Sequence, residues 1–260
     1  MSVRFAVSLF AALAFAAGAT AGPAQGFAQL DPIWSVAPVR GAEAPVLGNG
    51  LLSASVWLGA GGGFNWELHR RDLPLALGNC NLQAFGGYET GDAKLDLWNA
   101  ELHGSVTGEH GAVRYHSFIC ANPSVLVIQL GGIRPATGLL VWLPSKHSPV
   151  PSLVTTSGEV ASVETTGANG AALAVVLRRI ESRPEQKVYA VAVEPGATSA
   201  AALAAATGDV ERASSLGFRA LLAVHRAQWH GAYRANAPMT PADQAFWLQR
   251  YKALSLGTTP

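Results

Sequence analysis

Charge is scarce in this chain. Asp, Glu, Lys and Arg make up 13% of the 260 residues, and they nearly balance, leaving a formal net charge of +1. Nucleic-acid binders carry a basic patch or stripe to meet the phosphates; none is expected here, and no nucleic-acid partner is assigned. The low charge accompanies 49% hydrophobic residues and 28 glycines, which suits a folded β protein and excludes a disordered one. Cysteine is nearly absent. Cys80 and Cys120 are too few for a disulfide scaffold, and neither sits in a C-x-x-C spacing. Two alternatives stay open for them, one Cys80–Cys120 disulfide or two separate buried thiols. Past the N-terminus no apolar run reaches the length of a membrane span. Also missing are the G-x-S-x-G elbow, the phosphate loop, H-E-x-x-H and the dinucleotide fingerprint. No cofactor is expected.

What is present begins with a leader. Arg4 supplies a positive start, Phe5 to Ala17 is apolar, and Ala19-Thr20-Ala21 forms an A-x-A cleavage site before Gly22. The expectation is a signal peptide over 1–21 and a mature chain in the periplasm or outside the cell. An uncleaved amphipathic anchor is the competing reading. From about Pro32 to Val193 the period is two. Leu52, Ala54, Val56 and Leu58 alternate with small or polar residues, Gly59 to Gly63 turns the chain, and Phe64, Trp66 and Leu68 alternate in turn. Gly78 to Gly91 reads as a Gly/Asn-rich stretch before a second hairpin. That hairpin runs from Leu95 to Thr107, turns at Gly108-Glu109-His110-Gly111 and returns over Ala112 to Ala121. Further strand-like runs are Val125–Leu130, Gly138–Leu143, Ala171–Arg178 and Lys187–Val193. Strands without intervening helices predict a mainly β fold, an antiparallel β-sandwich over 22–196.

Near Pro195 the period changes, and 197–260 reads as C-terminal α-helices. Thr198 to Ala206 is Ala-rich, Asp209 to Arg234 carries Leu216, Ala220, Val224 and Ala227 on one stripe, and Thr240-Pro241-Ala242-Asp243 signals another start. Trp247, Leu248, Tyr251 and Leu254 follow at helical spacings. Aromatic helix faces of this width predict a further domain packed against them.

The chemistry on offer is thin. If the second hairpin closes symmetrically, His103 falls opposite His116, about 5 Å away. Two imidazoles hold a metal only with a third ligand. No Asp or Glu occupies an obvious third position, so the pair reads as a surface pair and no metal is expected. Glu67 and Asp72 lie near Arg70-Arg71, where a carboxylate stays ionised and suits ligand hydrogen bonding better than general-acid work. Their competing reading is a strand-end salt bridge. Glycoside hydrolysis needs two carboxyl groups across a cleft, and no convincing pair stands out. The tryptophans offer sugar-stacking surfaces, but Trp57 and Trp66 face opposite ways and at least one belongs to the core.

Three stretches carry a family likeness. They are Pro45-Val46-Leu47-Gly48-Asn49-Gly50 with Leu51 to Val56, the hairpin region Asn99 to Leu130, and His225-x-x-x-Trp229-His230-x-x-Tyr233 leading to Phe246 through Lys252. In this order they resemble the N-terminal supersandwich of family 95 alpha-L-fucosidases and their relatives, and more distantly the family 65 phosphorylases. Departures include Ser53 in place of a usual glycine and Arg71-Asp72-Leu73-Pro74 in place of an Asp-x-Leu-Trp-like segment. The resemblance implies a non-catalytic sandwich joined by linker helices to an (α/α)6 catalytic barrel. It implies that 197–260 holds the linker and the start of that barrel, truncated, so no catalytic residue carries over. Asn49 is then a turn residue at an edge facing the barrel, and Trp229 and His230 are domain-interface or substrate candidates. A stand-alone carbohydrate-binding module and an envelope structural or interaction protein are the alternatives.

Overall fold

Alternating side chains build two antiparallel sheets and leave one helix to cover the larger. The computed structural model describes residues 29–41, 43–73, 76–132, 139–145, 153–157, 160–166, 172–236 and 244–257. The expected leader and the helix start at Thr240 to Asp243 lie outside the described residues. The strands are β1 (Ile33–Trp34), β2 (Val46–Gly48), β3 (Leu52–Leu58), β4 (Phe64–Arg70), β5 (Ala76–Gln83), β6 (Tyr88–Asp96), β7 (Glu101–Gly108) and β8 (Gly111–Ala121). They continue with β9 (Ser124–Gly131), β10 (Leu139–Pro144), β11 (Leu153–Ser157), β12 (Val160–Thr166), β13 (Ala172–Arg183) and β14 (Gln186–Gly196). Two helices follow, α1 (Ser199–Asn236) and α2 (Gln244–Leu256). Among the described residues the large sheet runs β1-β6-β7-β8-β9-β14-β13-β12-β11 and the small sheet β10-β5-β4-β3-β2. The expected sandwich followed by helices is the observed fold.

Three layers result, with two apolar interfaces. Between the sheets lie Leu52, Val56, Phe64, Trp66 and Leu68 of the small sheet, against Leu102, Tyr115, Leu126 and Val191 of the large one. Trp66 Nε1 donates to Ser117 Oγ across this core at 3.1 Å, which satisfies a buried donor where water has no access. On the other face of the large sheet, Phe118, Cys120, Val127, Val176 and Ala190 pack against Ala202, Ala206, Val210, Ala213 and Leu221 of α1. Strands β13 and β14 are thus buried on both faces. That explains their near-continuous apolar runs, which no alternation could accommodate.

The cysteines sit in different interfaces. Cys80 belongs to the layer between the sheets and Cys120 to the layer under α1, so the backbone of the large sheet separates them. Both thiols are free, and the disulfide alternative is set aside. Burial pushes both thiols up, that of Cys120 to about 12.

Several local expectations need correction. The Gly/Asn-rich stretch Gly78 to Gly91, read only as preceding the second hairpin, contains most of β5 and the start of β6. Cys80 and Leu82 point inward, while Asn79 and Asn81 on the outer face donate to Asn65 Oδ1 at 2.5 and 2.6 Å, so the turn-prone amides satisfy one another. The expected arm Leu95–Thr107 is really the end of β6, a turn over Leu97 to Ala100, and β7. Ala100 closes that turn with φ 56°. In α1 the stripe expected to be buried is the exposed one. Leu216 and Val224 are 46% and 41% exposed, and the covered stripe is Ala202, Ala206, Val210, Ala213, Leu221, His225, Trp229 and Tyr233. Small alanines let the helix approach the sheet closely, and polar atoms on the second half find carbonyl partners. The helix breaks at Gly217 (φ 71°, ψ 167°), not near 207. A bulge between Arg179 and Glu181 leaves Ile180 in the layer under α1 and lets Glu181 Oε1 accept from Phe218 N at 2.6 Å. The amide released by the break is therefore paired.

Gly48-Asn49-Gly50 acts as a joint between three elements. Asn49 Oδ1 accepts from Leu51 N and Leu52 N at 2.9 and 2.8 Å, and its Nδ2 donates to Cys120 O at 2.7 Å and Ser124 Oγ at 3.3 Å. The amide closes its own turn and ties the small sheet to the β8–β9 turn of the large one. Gly50 adopts φ 89°, and a Cβ on Gly48 would lie 2.2 Å from Ser255 O of α2. Glycine is required at both positions, for conformation at one and for close approach at the other. Asn49→Ala should lower the unfolding free energy by about 2–4 kcal/mol through its unpaired partners, measured by urea unfolding. Asn49→Asp should recover only the accepting half.

Candidate functional site

Period two places Glu101 and His103 on one face of β7, and the hairpin register pairs His103 with His116 of β8. The expected cross-strand histidine pair therefore exists, with ring centroids 4.0 Å apart. It is not an isolated surface pair. His116 Nε2 lies 2.9 Å from Glu101 Oε2, and His103 Nε2 lies 3.4 Å from the same oxygen. A carboxylate only accepts, so His116 Nε2 carries a proton there. The premise that no acid supplies a third donor is overturned, because Glu101 provides it. The signal was available at the i, i+2 spacing.

Glu101 is fully buried yet charged. Arg226 of α1 donates from Nε to Oε1 at 2.5 Å and from its terminal nitrogen to Oε2 at 3.0 Å. Burial alone would push the Glu101 carboxyl up. Hydrogen bonds from His103, His116 and Arg226 outweigh it and hold the group well below the usual carboxylate range. His116 responds in the opposite way, since burial pushes its imidazole below the ordinary value against the pull of Glu101.

The same helix face grips the chain just before Glu101. His225, Trp229 and Tyr233 form one stripe at i, i+4 and i+8, and Arg226 and His230 form the next. His225 Nε2 lies 3.2 Å from Ala100 O, and its Nδ1 lies 3.1 Å from Ile119 O. His230 meets Asn99 Oδ1 at 3.0 Å and stacks on Trp98 at 4.3 Å, and Tyr233 Oη donates to Leu97 O at 2.6 Å. The sequence motif His225-x-x-x-Trp229-His230-x-x-Tyr233 is thus a clamp on segment Leu97–Glu101. Trp229 is buried and stacks on Tyr251 of α2 at 5.3 Å. The expectation that these aromatic faces await another domain fails for Trp229, Tyr233 and Tyr251, which are covered within this chain.

Where α1 stops covering the large sheet, a cleft of about 630 Å³ opens beside the histidines, lined also by Arg114, Tyr115, Gln129 and Gln186. The remaining candidates lie elsewhere. Glu67 faces outward on the small sheet and pairs with Arg40 at 2.5 Å, and Asp72 pairs with Arg70 at 2.9 Å. Arg70 also donates to Val193 O and meets Glu194 Oε1 at 3.1 Å, so it ties β4 to β14. The two acids are apart and each is held in an ion pair. Trp66 is core, whereas Trp57 lies outward beneath Arg40. It edges a second cleft of about 580 Å³ with Asn65, Asn79, Asn81 and Gln83.

The architecture defines an antiparallel sandwich with a helix clamped across one sheet. No family model matches the sequence, and no curated protein matches it. A solved structure described as a putative kojibiose phosphorylase from the human microbiome matches with a TM-score of 0.52 at 9% identity, over 81% of this chain and 36% of that one. This chain spans well under half of that protein's length. The likeness is one of fold. It covers the sandwich and the helices after it, and does not single out the family 95 fucosidases.

Removing Arg226 strands a buried carboxylate. Arg226→Ala should cost about 3 kcal/mol, the low end for a broken buried pair, because the arginine side chain is 42% exposed and solvent screens part of the interaction. In a double-mutant cycle with Glu101→Gln, urea unfolding should return a coupling of roughly 1–3 kcal/mol.

Proposed function

We propose that this chain is the non-catalytic sandwich and linker of an exported glycoside-hydrolase-like protein, serving to hold a catalytic barrel in place. The observation that carries this reading is the clamp of α1 on Leu97–Glu101. It fixes the helix on the sheet through four side chains, His225, Arg226, His230 and Tyr233, while Leu216 and Val224 stay exposed on its far side. A linker needs such an arrangement, anchored on one face and apolar on the other. The fold likeness to part of a phosphorylase chain supports the reading, and the leader-like N-terminus supports a periplasmic or extracellular setting. The pairing of Glu67 with Arg40 and of Asp72 with Arg70 supports a non-catalytic role for both. Assays of the purified chain on aryl glycosides, and on disaccharides with phosphate, should show no turnover above buffer. Turnover that co-purifies with the chain overturns the proposal.

A second reading, a carbohydrate-binding module, rests on the outer cleft of the small sheet. Trp57 offers a ring edge, and Asn79, Asn81 and Gln83 offer amides, the pairing of apolar surface and planar polar groups that sugars need. Titration calorimetry with diverse oligosaccharides should then give heat that Trp57→Ala abolishes. A screen without heat rejects this second reading.

A further inference from the structure

The sequence offered two imidazoles without a third ligand, and the fold supplies one. We infer that Glu101 Oε2, His103 Nε2 and His116 Nε2 form a binding site for a divalent transition metal of the zinc type, open to the cleft beside α1. The three ligand atoms lie within 4.8 Å of one another. In a tetrahedral centre with metal–ligand bonds near 2.0–2.1 Å, neighbouring ligand atoms are about 3.3 Å apart. The His103–Glu101 edge, at 3.4 Å, already has that length, and the His116–Glu101 edge, at 2.9 Å, must open slightly. The two rings are stacked, with centroids 4.0 Å apart, so they must turn out of the stack for their in-plane lone pairs to converge on one ion.

The surroundings suit a metal as well as the distances do. Glu101 and His103 alternate on one strand and His116 is their cross-strand neighbour, so all three stand on rigid hydrogen-bonded backbone. Arg226 Nε holds Glu101 Oε1 at 2.5 Å and keeps the carboxylate ionised, the part an outer-shell partner plays around a ligating acid, while its terminal nitrogen, now 3.0 Å from Oε2, must give up that oxygen to the metal. The proton now shared between His116 and Glu101 is the one a metal displaces, since imidazole binds metal in its neutral form. The ligands leave one face open towards the cleft, where a water completes the coordination. Two nitrogens and one carboxylate oxygen, with no thiolate, select zinc, cobalt, nickel or copper. Calcium and magnesium require more oxygen ligands than this site offers. The positive charge of Arg226, with Arg114 on the cleft wall, opposes the cation and keeps the affinity moderate.

The test is a titration of the metal-free full chain with zinc by calorimetry and with cobalt by its visible d–d absorption. The expected result is one equivalent bound with an intense cobalt band. His103→Ala should weaken binding by at least about tenfold, and His116→Ala and Glu101→Gln should do the same. His103 is the decisive variant because its side chain is 42% exposed, so its loss leaves the fold intact, as circular dichroism would verify. His110→Ala, in the hairpin loop outside the cluster, should leave the titration unchanged. Absence of binding, or binding that His103→Ala leaves unaltered, overturns the assignment. So does a cobalt spectrum identical to that of the aqueous ion.

Discussion

The structure turns on a buried charge. Glu101 carries a negative charge with no exposed surface of its own, and such a charge is tolerated only when it is paired and hydrogen-bonded from several sides. Arg226 comes from the helix and His116 from the sheet, and neither can move far without stranding the carboxylate. The helix axis, the Leu97–Ala100 turn and the β7–β8 hairpin are therefore coupled at one point. Around it, the carbonyls of Leu97, Ala100 and Ile119 meet Tyr233 and His225 of the helix face. The clamp is directional where the alanine-lined layer beneath the first half of α1 is not, so packing brings the helix close and the polar contacts set its register.

That division of labour explains where chemistry is available. The large sheet is covered on both faces over 172–177 of β13 and 188–193 of β14. Its free outer face begins where α1 ends its coverage, beside the two histidines, and the outer face of the small sheet carries amides and Trp57. Both clefts have polar walls over an apolar interior. The acids singled out from the sequence, Glu67 and Asp72, meet arginines instead of a cleft, and their ionised state is used in tying segments together.

Legibility followed the reach of the forces involved. Alternation over β3, β4, β8 and β9 depends on neighbouring residues, and those strands fall where the pattern places them. The His103–His116 register could be counted from the turn, because a tight hairpin propagates its register along both arms. The Leu97–Ala100 turn could not, since no glycine or proline marks it and Ala100 takes its left-handed conformation under the hold of the helix. Nor could β5, whose asparagines signal turns until they are seen bonding across strands. The buried stripe of α1 was misassigned for a related reason. Hydrophobicity favoured Leu216 and Val224, yet the helix buries alanines, histidine and tryptophan because carbonyls and close backbone contact await them.

Composition and periodicity alone decided that this chain is a β-sandwich with helices after it, because burial of alternating apolar side chains is a local pattern. They also decided that Gly48-Asn49-Gly50 is a turn, since two glycines around an asparagine serve little else. Only the tertiary structure decided that Asn49 joins the two sheets, that Cys80 and Cys120 lie on opposite sides of one of them, and that Trp229 is covered from within. It alone joined Glu101 to two histidines and an arginine from 125 residues away. A buried charge selects its partners by distance in space, and that distance is set by packing, which one-dimensional spacing does not encode.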